Sequence, residues 1–276
     1  MDLRDFFIGE GVDVFSKVSI TDLTELDRES VLHYFPKARS VIVFGKEVPA
    51  QVYLMPSEQK TREMLRIAEG LDNSAVRLAS LFNSEHIPAL PVPLYLPVRI
   101  VDGRIRGMIP LKRIAVAGRL GTQGMNSLLL SPRYGPRLLL SGVVTGLPVP
   151  EDVRDNQPGP GTASEDFELC TRCGRCTKVC PGGAIGPEGV EVFRCRTIST
   201  WVPPPLVPVI KFLFGRKIFQ KCIAPLAPWI ARMAMIRCSL CVTECPIFEG
   251  AKEDDNSPIP EVPAPEKSRL ITLDAY

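Results

Sequence analysis

Seven of the nine cysteines lie in two runs that end alike. The first is Cys170-Thr-Arg-Cys173-Gly-Arg-Cys176-Thr-Lys-Val-Cys180-Pro181, and the second is Cys238-Ser-Leu-Cys241-Val-Thr-Glu-Cys245-Pro246. Thiolates in the first spacing hold a pair of cubane iron–sulfur clusters, the first three on one cluster and the fourth crossing to the other. By that rule Cys245 completes the set begun by Cys170, Cys173 and Cys176. Cys180, Cys238 and Cys241 then lack one ligand. Of the two cysteines left, Cys195 is the expected partner, because Cys222 sits inside a long apolar insertion. Such a chain must fold so that two segments far apart in sequence meet.

Other uses of cysteine explain the pattern less well. Zinc usually takes two separated pairs, which leaves the third close cysteine and the proline after each run without a reason. A disulfide framework suits short secreted chains, whereas this one has 276 residues and an odd number of cysteines. Thiols meant for cluster assembly need a reducing compartment, so a cytoplasmic location is expected. The first residues show no basic leader before an apolar run. No window of eighteen uncharged apolar residues occurs either. A net charge of +2 gives no reason to expect nucleic acid as a partner. With only two histidines, His33 and His86, a site built on several imidazoles is excluded, and each is expected to be an ordinary partly buried residue.

Length allows one large domain or two modest ones. Residues 1–35 mix charge with scattered apolar positions, a pattern of short helices covering a core. Val41-Ile-Val-Phe44-Gly45 is a short apolar run ending in glycine, expected as a buried strand. Between Ser57 and Glu85 the apolar residues recur at helical spacing, which predicts a long amphipathic helix with a break near Asp72. Residues 87–98 alternate proline with apolar residues and should be extended. Leu111–Leu120 looks helical, closed by Gly121 and Gly124. Asn126–Leu130 and Arg137–Thr145 flank a Pro/Gly turn, the signature of a hairpin. The sequence therefore divides into a domain over 1–150, a linker over 151–165, a cluster domain over 166–250 and a proline-rich tail over 251–276.

The cluster domain contains a basic apolar insertion, 198–236. From Val192 to Thr243 there are eight Lys or Arg residues and no Asp or Glu. Apolar pairs separated by basic residues suit an interfacial helix or a docking surface for an anionic partner or membrane. The alternative is that the apolar residues cap the clusters against water.

The cysteine order, with Phe-Arg-Cys195 between the two runs, resembles the cluster domain shared by epoxyqueuosine reductases and reductive dehalogenases. Ala38-Arg-Ser-Val-Ile-Val resembles a segment of the same enzymes, as does the stretch from Ala117 through Arg137 followed by Val-Val-Thr-Gly-Leu-Pro. The resemblance covers roughly residues 36–250. It implies an α+β protein: a nitroreductase-like N-terminal domain, then a bacterial-ferredoxin-like domain with two [4Fe–4S] clusters. It also implies a corrinoid-dependent reductase in which the clusters pass single electrons to a cobalamin-type cofactor, with flavin the less favoured alternative. An electron donor protein of the ferredoxin or flavodoxin type would be the partner. On this reading Gly121, Gly124, Asn126, Ser131, Tyr134 and Arg137 line the cofactor, the glycines leaving backbone open to a flat ring. Tyr134 would donate a proton, and Lys112 and Arg113 would steady negative charge.

The sequence departs from epoxyqueuosine reductases at two places. Their acidic general acid has Ile105 at its position here, with Asp102 nearby but out of register, and Thr-Gln-Gly-Met-Asn126 replaces a segment with an aromatic residue and a lysine. Neither their helical-repeat tail nor the twin-arginine leader of respiratory dehalogenases is evident. A second class of function therefore stands beside the reductase: a ferredoxin-like electron-transfer subunit with no organic cofactor, feeding a partner enzyme.

Overall fold

The computed structural model describes residues 2–101, 104–149, 168–187, 189–233 and 235–250. The expected linker and proline-rich tail lie outside them.

The chain opens with α1 (Leu3–Gly9), whose first turn is capped by the Asp2 carboxylate accepting from the Arg4 N–H. Next come β1 (Val14–Ser19), α2 (Glu25–Tyr34) and β2 (Ser40–Glu47). β1 was not anticipated; Ser16 and Lys17 interrupt its apolar pattern, so the run looks like mixed helix from sequence. α2 is capped by the Thr24 hydroxyl, which accepts from the Asp27 N–H. α3 (Ala50–Leu54) and the long α4 (Ser57–Ser84) follow. α4 runs unbroken through Asp72, because Leu71, Ala75, Leu78, Ala79 and Phe82 keep one buried stripe going across that point.

β3 (Ala89–Pro91) is followed by a small hairpin, β4 (Val98–Val101) and β5 (Arg104–Gly107), then α5 (Leu111–Ala117). A second small ladder pairs β6 (Thr122–Gln123) with β7 (Leu129–Leu130), and β8 (Leu138–Thr145) closes the first part of the chain. The main sheet has the order β1-β2-β8-β3, antiparallel throughout. The hairpin expected between 126–130 and 137–145 is therefore replaced by another pairing. β8 pairs along its whole length with β2, Ser40 opposite Thr145 and Glu47 opposite Leu138. Across the Pro/Gly turn only the bridge Ser131–Gly135 survives. The reason is burial: β8 is apolar on both faces and is satisfied only at the centre of a sheet covered on both sides.

β2 shows the same double burial. Ile42 and Phe44 face a core with Phe7, Leu78, Phe82 and Val143, beneath α4. Val41 and Val43 face the other core with Val18, Ile114, Leu129 and Val144, beneath α5 and α2. The result is a sheet between two helical layers.

The cysteine-bearing part adds α6 (Arg175–Lys178), the short ladder β9 (Ile185–Gly186) and β10 (Gly189–Val190), and α7 (Arg196–Ser199). Three helices of the insertion follow, α8 (Val207–Phe214), α9 (Lys217–Ile223) and α10 (Ala227–Met233), and then α11 (Leu240–Thr243). Val242 is buried in the core under α4, with Ile236, Cys241 and Phe248 packed against it. The two parts thus share one core.

Arg137 fastens this union. It is 5% exposed. Its Nε donates to the Phe248 carbonyl at 2.7 Å, it pairs with Glu47, and its guanidinium lies 5.4 Å from the centre of the Phe248 ring. Arg137→Met removes the charge and leaves the Phe248 carbonyl and the Glu47 carboxylate without their donor. Since Glu47 is partly open to water, the expected loss is about 2–3 kcal/mol of stability, measured by denaturant unfolding of the cluster-loaded protein. A loss below about 0.5 kcal/mol, the range of a neutral surface change, would remove Arg137 from this role.

Candidate iron–sulfur centre

The structure brings eight of the cysteines into one neighbourhood, with Cys176 near both Cys245 and Cys241. Cys170, Cys173, Cys176 and Cys245 line one cavity, together with Met125, Leu130 and Ile247. Their mutual influence is visible at Cys245: burial raises its pKa, and Cys170, Cys176 and Cys173 raise it further against the opposing Ile247 N–H. Among the other four, Cys241 is pushed up to about 11, first by burial and then by Cys238, Cys195, Cys180 and, more weakly, Cys176. Cys222 lies exposed on α9 and influences neither. Among the described residues no three Cys, His, Asp or Glu side chains gather as they would around one metal ion.

Local geometry explains the gathering. After Gly174, which takes a left-handed conformation, α6 carries Cys176 and ends just before Cys180. The Cys180 sulfur accepts the Ala184 N–H at 3.2 Å. Gly182 packs directly on the Arg194 carbonyl, where a Cβ would overlap, so the segments bearing Cys180 and Cys195 are drawn together. α11 packs on α6 and carries Cys241, with Cys245 just beyond its end. The segment after Cys245 is fixed by the turn of the first domain: Gly135, at φ 54°, lies against the Ile247 carbonyl with no room for a side chain.

This donor set fits a pair of [4Fe–4S] clusters. Each set of four thiolates would hold one, and bound clusters supply one-electron chemistry at a potential tuned by charge, burial and hydrogen bonds to sulfur. Raised thiol pKa values mean that cluster assembly must displace protons from both sets.

The residues expected to line an organic cofactor have other occupations. Gly121, at φ 150°, is pressed on the Leu130 carbonyl, and a Cβ on Gly124 would stand 2.7 Å from Asn126 Oδ1 and 3.0 Å from Leu130. A side chain would not fit at either glycine, while Gly124 itself lines the cavity of Cys170, Cys173, Cys176 and Cys245. Asn126 donates to the Cys241 carbonyl at 2.9 Å and accepts from the Leu128 N–H. Ser131 and Tyr134 are buried, and Arg137 is engaged as described. Burial raises the Tyr134 pKa, with Asp13 adding to the rise. Lys112 and Arg113, expected to act with Tyr134, both have protein partners. Lys112 donates to the Ser127 carbonyl at 2.8 Å, and although the side chain is exposed by area, enough protein surrounds the ammonium to lower its pKa. Arg113 pairs with buried Asp27. Of these residues, Asn126 and Arg137 bond to the backbone of the cysteine segments. His33 and His86, expected to be partly buried, are both exposed.

One functional candidate escaped the sequence. Lys60, in the first turn of α4, is 7% exposed. Its ammonium donates to Ser239 Oγ at 2.8 Å, beside Cys238. Burial lowers its pKa and the Cys238 charge opposes that. A lysine near a helix start looks solvent-exposed from sequence, and nothing local marks it otherwise.

Site and fold define a protein with a ferredoxin-type [4Fe–4S] centre. Residues 163–186 match the family of 4Fe–4S binding domains. The chain is 28% identical over 251 residues to the epoxyqueuosine reductase of Listeria monocytogenes, covering 87% of this chain and 57% of that protein. It is 25% identical over 210 residues to the tetrachloroethene reductive dehalogenase of Dehalobacter restrictus, covering 72% of this chain and 34% of that protein. Its fold is similar to that of epoxyqueuosine reductase from Streptococcus thermophilus, with a TM-score of 0.53, 15% identity and coverage of 90% of this chain and 65% of that one. The chain thus spans little more than half the length of its curated epoxyqueuosine reductase relatives. The chain is thus similar to both the epoxyqueuosine reductases and the reductive dehalogenases.

Two measurements test the centre. Anaerobically reconstituted protein should bind about eight irons in two clusters; Cys222→Ser should keep that content, and Cys195→Ser should lose one cluster. The reverse result would exchange the two cysteines. In redox titration followed by electron paramagnetic resonance, Lys60→Met should lower the potential of one cluster and leave the other in place, because a buried cation favours the more negative, reduced state. Two unchanged potentials would make Lys60 a packing residue only.

Proposed function

We propose that the chain is an iron–sulfur oxidoreductase that moves single electrons through two [4Fe–4S] clusters to an acceptor brought up beside the second cluster. The observation that carries this is the gathering of eight cysteines into one neighbourhood, four of them at a cavity lined by the exposed Cys173. A ferredoxin- or flavodoxin-type donor would deliver electrons at that exposed edge. On the second set, Arg196 follows Cys195 and Arg237 precedes Cys238, and both line an open polar cleft with Ser57 and Thr200. An acceptor with an anionic edge would meet two guanidinium groups there, next in sequence to two cluster ligands.

The nitroreductase-like assignment of the first 150 residues and the cobalamin-type cofactor both rest on resemblance to the relatives. Asn126 and Arg137 of the hairpin segment bond to protein partners, although Gly124 and Asn126 also line the cavity of Cys170, Cys173 and Cys176. That engagement favours a second reading, in which the chain is an electron relay without an organic cofactor and its partner enzyme holds the acceptor. Visible spectra of anaerobically purified protein, before and after incubation with hydroxocobalamin, separate the two. Corrin absorption that stays with the protein through gel filtration supports the reductase. Protein that keeps its clusters and never retains corrin or flavin is the relay. Loss of both clusters in otherwise folded protein would overturn either reading.

A further inference from the structure

The insertion between Cys195 and Cys238 is folded, anchored and turned outward. Its anchors are polar and specific. Buried Gln220 accepts from the Val98 N–H at 2.8 Å and donates to the Val98 carbonyl at 2.9 Å and to the Phe214 carbonyl at 2.6 Å. Phe214 and Phe219 pack edge to face. Arg232 reaches Glu69 of α4, and Lys211 lies 3.9 Å from Glu191 and over the Phe193 ring. With that face committed, the opposite face carries the apolar side chains.

Leu226, Trp229, Ile230 and Met233 recur at the helical spacing that normally marks a core stripe, and all four are exposed. Beside them stand Phe212 at 61% and Ile218 at 79% exposure. A protein seldom exposes so many large apolar side chains in one insertion without a use for them. The alternative, that the whole insertion caps the clusters, does not describe these six residues.

Charge selects the partner. Arg216, Lys217 and Lys221 are exposed beside the patch, and among the described residues they have no acidic partner; Arg216 instead lies 4.7 Å from the centre of the Phe212 ring. No acid occurs in the sequence from Val192 to Thr243. No helix among the described residues is long and apolar enough to cross a membrane. Short helices with aromatic and aliphatic residues on one face and cations at the rim lie in the plane of a bilayer surface.

We propose that α8, α9 and α10 form a docking face for an anionic lipid bilayer. Phe212, Ile218 and Trp229 enter the headgroup region, and Arg216, Lys217 and Lys221 meet the lipid phosphates. An acidic protein would offer charge, but exposed aliphatic and aromatic residues flanked by cations on short helices also need an apolar layer, which lies beneath the headgroups of an anionic bilayer. The inference is independent of what the clusters reduce.

The chain carries its own reporter, because its only two tryptophans, Trp201 and Trp229, both lie exposed in this insertion. Cluster-loaded full-length protein is mixed with phosphatidylcholine vesicles, with and without phosphatidylglycerol, at low and high salt. Expected are co-sedimentation with the anionic vesicles at low salt, release by salt, and a blue shift of tryptophan emission. Arg216→Gln/Lys217→Gln/Lys221→Gln should weaken partitioning by on the order of a hundredfold, about fivefold for each cation neutralised. Phe212→Ser/Trp229→Ser should also release the protein while its iron content stays unchanged. No co-sedimentation with anionic vesicles at low salt overturns the proposal. So does equal binding to neutral vesicles, or binding to an acidic protein with none to lipid.

Discussion

Arg137 joins three parts of the chain that the sequence keeps far apart. It stands at the start of β8, pairs with Glu47 at the end of β2, and holds the backbone of Phe248 just beyond Cys245. A buried guanidinium is tolerated only where its donors are used, so the position of the last cysteine is tied to the edge of the sheet. Gly135 repeats the constraint without charge, since backbone lies on backbone and leaves no room for a side chain. Cluster geometry tolerates little drift in its thiolates, and here the sheet domain supplies the rigidity. The first domain is thus a foundation for the cysteines, whatever else it binds.

That arrangement changes the meaning of the segment between Gly121 and Arg137. Its glycines and polar residues look like a binding loop in sequence. In the fold, Asn126 reaches the Cys241 carbonyl, Ser131 bridges Gly135, and the glycines allow close packing on Leu130 and Asn126. The side chains of Asn126 and Arg137 are both spent on protein partners. The segment connects the sheet to the cysteine segments and lines the cavity of Cys170, Cys173 and Cys176, and an open cleft lies at Arg196 and Arg237.

The two sets of cysteines differ in their surroundings. Cys173 is exposed at the first, whereas Cys241 at the second is buried enough to hold its proton to about 11. The second set also has Lys60 close by, donating to Ser239. A partly wet cluster and a drier one beside a buried cation will differ in potential, because the cost of adding an electron depends on the local dielectric and charge.

The cysteine spacing by itself pointed to a ferredoxin-type [4Fe–4S] segment, because the first three ligands of such a cluster lie on adjacent turns. Apolar patterning determined the buried strand β2 and the helix α4, apart from the break expected near Asp72. Tertiary structure alone decided the rest. β8 pairs with β2 instead of folding back on Asn126–Leu130, since a strand apolar on both faces requires the sheet centre. Lys60 is buried because α4 meets the Ser239 segment, a contact absent from local sequence. The stripe Leu226, Trp229, Ile230 and Met233 has the period of a core helix, and periodicity records which residues share a face but not what that face meets. Only the anchoring of Gln220 to Val98 and of Arg232 to Glu69 turns that stripe toward solvent.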